Sequence, residues 1–192
     1  MRALLIAPSF FIAVVLAAPS WAEATEAPFG LEWGMQVGDL TALDIAIQST
    51  TKSGNLAVVT VTETPEALDD TYLVTLWFDD ELGLVNVRWT SNKIEADTSG
   101  ERGRRKYTET RRFIVENYGE PTDEALVIGA RLFDQDDEFY QCLAYEGCGV
   151  WSAIWEQEPA GGILLSIEGM DPGTGFVQLY FESEGWTAVN EQ

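Results

Sequence analysis

An amphipathic segment near the middle of the chain constrains the fold more than any other feature. Residues 100–118 place Tyr107 and Tyr118 eleven positions apart, which is three helical turns, and therefore on one face. Gly119 follows at the position where a left-handed residue commonly ends a helix, and Pro121 prevents the helix from continuing. The sequence therefore predicts a helix over 100–118, with long stretches of chain on both sides of it.

Short segments rich in β-branched and aromatic residues flank this helix, and polar turns separate them. Such a pattern is typical of antiparallel strands. The predicted strands are 56–62, 72–78 and 84–90 before the helix and 126–133, 139–145, 151–157, 162–169 and 175–182 after it. Residues 37–48 carry apolar side chains close to helical spacing and predict a first helix. The expected fold class is α+β, with two main helices packed on antiparallel β-sheet in the order α-βββ-α-βββ(ββ).

The first 22 residues predict a secretory signal peptide. Arg2 provides the positive charge, 3–18 form the apolar region, and Ser20 and Ala22 are small residues suited to cleavage after Ala22. Residues 23–192 are then expected to form a single exported α+β domain, whose element order allows two structural halves over 29–95 and 100–185. Since no cysteine lies near the cleavage site, we expect a soluble periplasmic protein with no stable membrane anchor.

The two cysteines fit an oxidising compartment. Cys142 and Cys148 are separated by five residues, with Gly147 and Gly149 available for a turn. An even pair this close together in an exported chain predicts a local disulfide bond.

Composition excludes several classes of function. The chain has no histidine, which removes Ser-His-Asp and Cys-His nucleophile systems and histidine-ligated metals. It carries 32 Asp and Glu against 11 Lys and Arg, a net charge of −21, so binding to nucleic acid is not expected. We predict no catalytic residue, no cofactor and no metal site.

An acidic cluster at 134–138 leaves two alternatives open. Its alternating carboxylates suit a calcium ion, but Phe139 and Tyr145 stand where a calcium loop of the helix-loop-helix type needs Gly and Glu, which favours a solvated turn. A different alternative concerns the function of the whole protein: a carboxylate-dependent hydrolase acting on envelope saccharide, which requires two acids facing one cleft.

Trp151 and Trp155 share one face of a predicted strand, and either a core position or a sugar-stacking platform fits them.

The central helix is basic in an otherwise acidic chain, since six of the 11 Lys and Arg residues lie over 102–112. One interpretation is a patch that binds an acidic partner, with Arg104, Arg105 and Arg111 as its members. The other is internal neutralisation, because Glu109 lies four residues from Arg105.

Two short motifs carry a resemblance to known proteins. The opening F-G-L-x-W-G-M comprises Phe29, Gly30, Trp33, Gly34 and Met35, and the central helix ends in Y-G-x-P at Tyr118, Gly119 and Pro121. In these motifs the chain resembles a group of uncharacterised bacterial envelope proteins whose topology is similar to small outer-membrane assembly lipoproteins and proteinaceous β-lactamase inhibitors. The resemblance implies a periplasmic protein-binding or scaffolding role without catalytic residues, and the lipid-bearing cysteine of the lipoproteins is missing here.

Physical reasoning gives the opening motif a structural role. Trp33 and Met35 are expected to dock the first helix onto the sheet, and Gly30 and Gly34 allow tight turns beside them. Together these observations predict a non-catalytic periplasmic module that binds another envelope protein.

Overall fold

The structure is a computed structural model that describes residues 26–157 and 161–190. The predicted signal peptide over 1–22 lies outside the described residues. Ten strands and three α-helices follow one another along the described chain. Their bounds are β1 Glu26–Ala27, β2 Leu31–Glu32, β3 Ile47–Ser53, β4 Leu56–Val61, β5 Thr71–Asp79, β6 Gly83–Ser91, α1 Glu101–Tyr118, β7 Asp123–Val127, α2 Phe139–Ala144, β8 Val150–Glu156, β9 Gly162–Asp171, β10 Thr174–Glu182 and α3 Glu184–Asn190.

Eight of the strands form one antiparallel sheet in the order β3-β4-β5-β6-β10-β9-β8-β7. The strands before α1 form a four-stranded meander, and the strands after α1 occupy the other four positions. The two groups meet where β6 pairs with β10, with Trp89 opposite Leu179. The α+β class and the antiparallel sheet are therefore confirmed.

Burial alternates along β10, and this alternation defines the two faces of the sheet. Val177, Leu179 and Phe181 are buried, whereas Gln178 and Tyr180 between them are half-exposed. The buried set belongs to the core, which α1 and α2 cover; we call this the helix-covered face. The opposite side of the sheet is called the open face below. A strict period of two is the signature of a strand with only one buried side.

The central helix is confirmed as α1, which begins at Glu101 and ends at Tyr118. Gly119 follows with a φ of 83°, and its N–H bonds to the carbonyl of Val115. The carbonyl of Gly119 accepts a hydrogen bond of 2.8 Å from Nε1 of Trp155, which is buried in the core. Gly119 thus both ends the helix and fixes it to the sheet. Of the two interpretations of Trp155, the structure shows the core position.

The predicted first helix over 37–48 was wrong. Only Val37–Thr41 is helical, as a single 3₁₀ turn, and Ile47 already belongs to β3. Leu40 is fully buried, whereas Leu43 is 40% exposed, so the apolar spacing anchors one turn and no more. Asp44 takes a positive φ of 56°, which ends helical geometry before the β-branched residues of β3.

The opening motif docks onto the sheet without that helix. Gly34 donates its N–H to Leu84 at 3.0 Å, and Leu84 donates its own N–H to the carbonyl of Met35 at 2.8 Å. Trp33 and Met35 pack against the core from this position. Gly30 is needed at its place, because its φ is 73° and a β-carbon there would lie 2.9 Å from Pro65. Phe29 meets Phe181 edge to face at 5.5 Å.

The predicted strand over 139–145 was also wrong, because Phe139–Ala144 forms α2. Periodicity cannot distinguish a strand from a buried helical turn in so short an apolar run. Tertiary contacts decide it: Tyr140 is fully buried against β9 and β10, where Gly169 and Gly175 leave room for it. The strand predicted over 126–133 instead runs over Asp123–Val127.

The predicted disulfide bond between Cys142 and Cys148 is confirmed. Both cysteines are fully buried, and the bond ties α2 to the turn that precedes β8. None of the helices within the described ranges has the length and apolar character needed to cross a membrane.

Candidate docking surface

The open face is built from side chains that alternate with the core residues on six neighbouring strands. Cross-strand pairing places them side by side. In the order of the sheet they are Val58 and Thr60 on β4; Leu73, Thr75 and Trp77 on β5; Asn86, Arg88 and Thr90 on β6; Phe176, Gln178, Tyr180 and Glu182 on β10; Leu164, Ser166 and Glu168 on β9; and Ser152 and Ile154 on β8. The result is a mixed surface of aromatic, hydroxyl, amide and aliphatic groups with few charges.

The C-terminal helix α3 covers one end of the open face. Its Trp186 ring lies 6.1 Å from the ring of Trp77 and edge-on to it, and it donates a side-chain hydrogen bond to Glu182. Asn86 lies between Trp77 and Glu182 in the pairing and is only 2% exposed. The sheet beyond this end keeps its half-exposed side chains and is available to solvent.

Arg88 occupies the centre of the open face and is held between two rings. Its guanidinium carbon lies 4.6 Å from the centre of the Trp77 ring and 4.8 Å from that of Tyr180. Each contact of this kind stabilises a cation by about 0.5–1 kcal/mol at exposed sites and by more when water is excluded. The two rings therefore hold the charge in position.

Hydrogen bonds hold the neighbouring side chains in place. The Tyr180 hydroxyl donates to Oε1 of Gln178 at 2.7 Å, and Nε2 of Gln178 donates weakly to Oγ1 of Thr90 at 3.4 Å. Burial raises the pKa of Tyr180; the nearby Arg88 charge opposes this shift and Glu168 adds to it. The phenol thus remains protonated at neutral pH and keeps its donor role, so this part of the surface is ordered before any partner arrives.

A small pocket lies where β9 begins and β10 ends, and Glu26, Trp33, Tyr118 and Glu182 are among the residues that line it. Burial raises the pKa of Glu182, and the hydrogen bond from Trp186 partly offsets that effect. Burial likewise raises the pKa of Tyr118, and the charge of Glu26 adds to the rise. The ring of Tyr118 lies 5.9 Å from the ring of Phe181, and both residues line this pocket.

The structure places the three arginines of the predicted patch in different surroundings. Arg111 pairs with Glu120 at 3.0 Å and with Glu124 at 2.9 Å. The Arg104 guanidinium lies over the ring of Phe139 at 4.8 Å, and Arg105 is exposed to solvent. Two of the three side chains are thus engaged within the molecule, and the patch stays a prediction.

The acidic turn over 134–138 makes its contacts internally. Glu138 accepts a hydrogen bond from the N–H of Gln135, and Asp134 accepts one from the side chain of the same glutamine. Within the part of the chain that the structure describes, no group of three or more His, Cys, Asp or Glu side chains is arranged to hold a metal ion.

Sequence reasoning missed the centre of the open face. The strand predicted over 84–90 contains Arg88, but nothing in the sequence shows which side chains lie beside it. The available signal was an arginine within an otherwise apolar strand, where a charge needs a specific environment. Trp77 and Tyr180 become its neighbours only through the pairing of β5, β6 and β10.

Comparisons with protein-family models, with curated proteins and with solved structures give no match to this chain. The family resemblance inferred from the two motifs therefore stays a prediction.

Proposed function

We propose that this protein is a non-catalytic periplasmic module that binds another envelope protein on the open face of its sheet. The observation that carries the proposal is the central part of that face. Arg88, Trp77, Tyr180 and Gln178 are ordered by one another and remain half-exposed. Aromatic residues and arginine are the side chains most enriched where protein interfaces gain their affinity.

The two edges of the sheet support the same proposal, because they are less suited to binding a partner than the open face is. All seven residues of β3 are exposed, and they are mostly polar with a lysine at Lys52, a composition that discourages strand addition. At the other edge, β7 begins with Asp123 and Glu124. A partner would therefore bind more favourably to the open face between these edges.

Site-specific photo-crosslinking in the native host tests this proposal. A photoreactive residue is placed at Thr60 or Leu164, which lie on either side of the centre of the open face, and at Glu109 or Arg112 on exposed positions of α1 as controls. We expect adducts with one envelope protein from the two open-face positions only. Adducts from the α1 positions alone would assign binding to the basic helix instead, and the absence of adducts at the open face would overturn the proposal.

Binding between purified proteins provides the second measurement. Once the crosslinked protein is identified, Leu164→Glu is expected to weaken its affinity about tenfold or more, because a charged side chain replaces an apolar contact within the interface. Arg112→Gln changes the charge on α1 and serves as the matched control, with an affinity within about twofold of the wild type. Equal affinities for all three proteins would contradict docking at the open face.

A further inference from the structure

We propose that Arg88 is the receptor for a carboxylate of the partner, carried by an Asp or Glu side chain with apolar neighbours. This inference rests on the function proposed above and specifies the chemistry of the docked segment. It begins from the position of the charge: among the described residues of the open face, Arg88 is the one basic side chain.

Two carboxylates that share the open face with Arg88 each accept a hydrogen bond from another side chain. Glu168 accepts a hydrogen bond of 2.7 Å from the Ser166 hydroxyl, and Glu182 accepts one from Trp186. In the described part of this very acidic chain, ion pairs within 4.0 Å form at Lys52, Lys93, Lys106 and Arg111, and Arg88 takes part in none of them. In a chain with 32 acidic residues, Arg88 thus has no carboxylate within 4.0 Å among the residues that the structure describes.

The donors of the guanidinium are not all paired within the described part of the chain. Its Nε atom is shielded from solvent and has no hydrogen-bond acceptor among the described residues. A buried polar group without a partner costs roughly 1–3 kcal/mol, and each such group needs an explanation. The two terminal nitrogens carry the other four N–H donors, in a planar fork that matches a carboxylate.

The rings of Trp77 and Tyr180 prepare that fork for binding. They lie 4.6 and 4.8 Å from the guanidinium carbon, so little side-chain entropy remains to be lost when a carboxylate arrives. Rings this close also displace water from beside the guanidinium, which strengthens a charge-assisted hydrogen bond to it.

The surroundings indicate what flanks the carboxylate. Leu73 on β5 and Leu164 on β9 are half-exposed on either side of the Arg88 and Tyr180 positions. An acidic residue flanked by apolar side chains would place those side chains against the two leucines. A strongly acidic segment would be repelled by the net charge of −21, so a single carboxylate in an apolar setting fits best.

A pair of short peptides tests the inference on the purified exported protein. The probes are N-acetyl-Leu-Glu-Leu-amide and N-acetyl-Leu-Gln-Leu-amide, which differ only in the carboxylate. The readouts are the NMR resonances of the Arg88 Nε–H and the Trp77 indole N–H. We expect saturable shifts with the glutamate peptide and none with the glutamine peptide. Equal shifts with both peptides, or no saturable shift with the glutamate peptide up to about 10 mM, would overturn the proposal.

Three variants complete the experiment. Arg88→Gln should abolish the shift of the Trp77 resonance, and Arg88→Lys should retain only part of it because lysine lacks the fork. Arg112→Gln removes an exposed charge from α1 and should respond as the wild type does. Loss of binding in this control would mean that the peptide responds to the overall electrostatic field of the protein and not to Arg88. The comparison of the two peptides on the wild type needs no variant, so a folding defect in Arg88→Gln does not affect it.

The failure of this inference can be distinguished from the failure of the proposed function. If the crosslinked partner binds Arg88→Gln within about twofold of the wild type, Arg88 is not its receptor, while docking on the open face stands. If the open face forms no adduct in the native host, the proposed function fails whatever the peptides show.

Discussion

At the scale of single residues, Asp97 connects three parts of the fold. It is 6% exposed in the segment before α1, and its Oδ2 accepts hydrogen bonds from the N–H of Gly103 at 3.0 Å and from the hydroxyl of Tyr140 at 2.9 Å. Burial alone would raise the pKa of Asp97. The hydrogen bonds from the backbone of Gly103 and Arg102 and from Tyr140 outweigh burial and hold the pKa below its usual value.

This arrangement predicts a pH-dependent contribution to stability. Because the folded-state pKa lies below the ordinary value of 3.8, the contribution is complete above about pH 4 and is lost as the pH falls through the folded-state pKa. Asp97→Asn should lower the free energy of unfolding at pH 7 by about 1–3 kcal/mol. Urea denaturation of wild type and variant between pH 2 and 7 measures the difference, which should shrink at the acidic end; a difference independent of pH would contradict the ionised role of Asp97.

At the scale of elements, the docking of α2 depends on glycine positions in its neighbours. Tyr140 enters a space bordered by Gly103 of α1, Gly169 of β9 and Gly175 of β10. Side chains at these positions would occupy the same volume as the tyrosine. The disulfide bond between Cys142 and Cys148 then holds the following turn against β8.

Gly169→Ala tests this packing. The added β-carbon would lie 2.1 Å from the carbonyl oxygen of Tyr140 and 2.8 Å from the N–H nitrogen of Ala144, and both are backbone atoms that cannot rotate away. We expect α2 to shift and the free energy of unfolding to fall by about 1–3 kcal/mol.

Gly38→Ala is the matched control, because a β-carbon at Gly38 meets nothing within 4 Å. Its stability should stay within about 0.5 kcal/mol of the wild type. Thermal denaturation of both variants gives the comparison. If Gly169→Ala lost no more stability than Gly38→Ala, the space around Tyr140 would tolerate an additional carbon.

At the scale of the whole molecule, the pairing of β6 with β10 joins the two halves of the sheet. Leu179 and Trp89 are fully buried and face each other across this pair. A single core continues from the strands before α1 to those after it. The predicted single domain over 23–192 should consequently unfold in one cooperative step.

Leu179→Ala should destabilise both halves together. Removing this buried side chain from the central pair is expected to cost about 2–5 kcal/mol, whereas Leu132→Ala, at a residue 50% exposed, should cost less than about 0.5 kcal/mol. Hydrogen exchange followed by mass spectrometry measures whether protection falls in β4–β5 as well as in β8–β9. Loss of protection in β8–β9 alone would indicate two separately unfolding halves.

Local signals determined the parts of this protein that depend on a few neighbouring residues. Gly119 and Pro121 end α1 through their own backbone preferences, and the short spacing of Cys142 and Cys148 suffices for the disulfide bond. The strand predicted over 84–90 is part of β6, because its β-branched and aromatic residues are a signal carried within one strand.

The tertiary structure alone decided the rest, because it depends on contacts between residues far apart in the chain. Residues 37–48 and 139–145 carried patterns that fit either element, and their partners selected one: pairing with β4 makes the end of the first segment a strand, and the glycine-lined space for Tyr140 makes the second a helix. The environment of Arg88 also arises in this way, since Tyr180 reaches it from a strand about ninety residues later. A local sequence pattern does not specify which distant strands will pair, so it cannot predict a contact that forms only when those strands come together in the sheet.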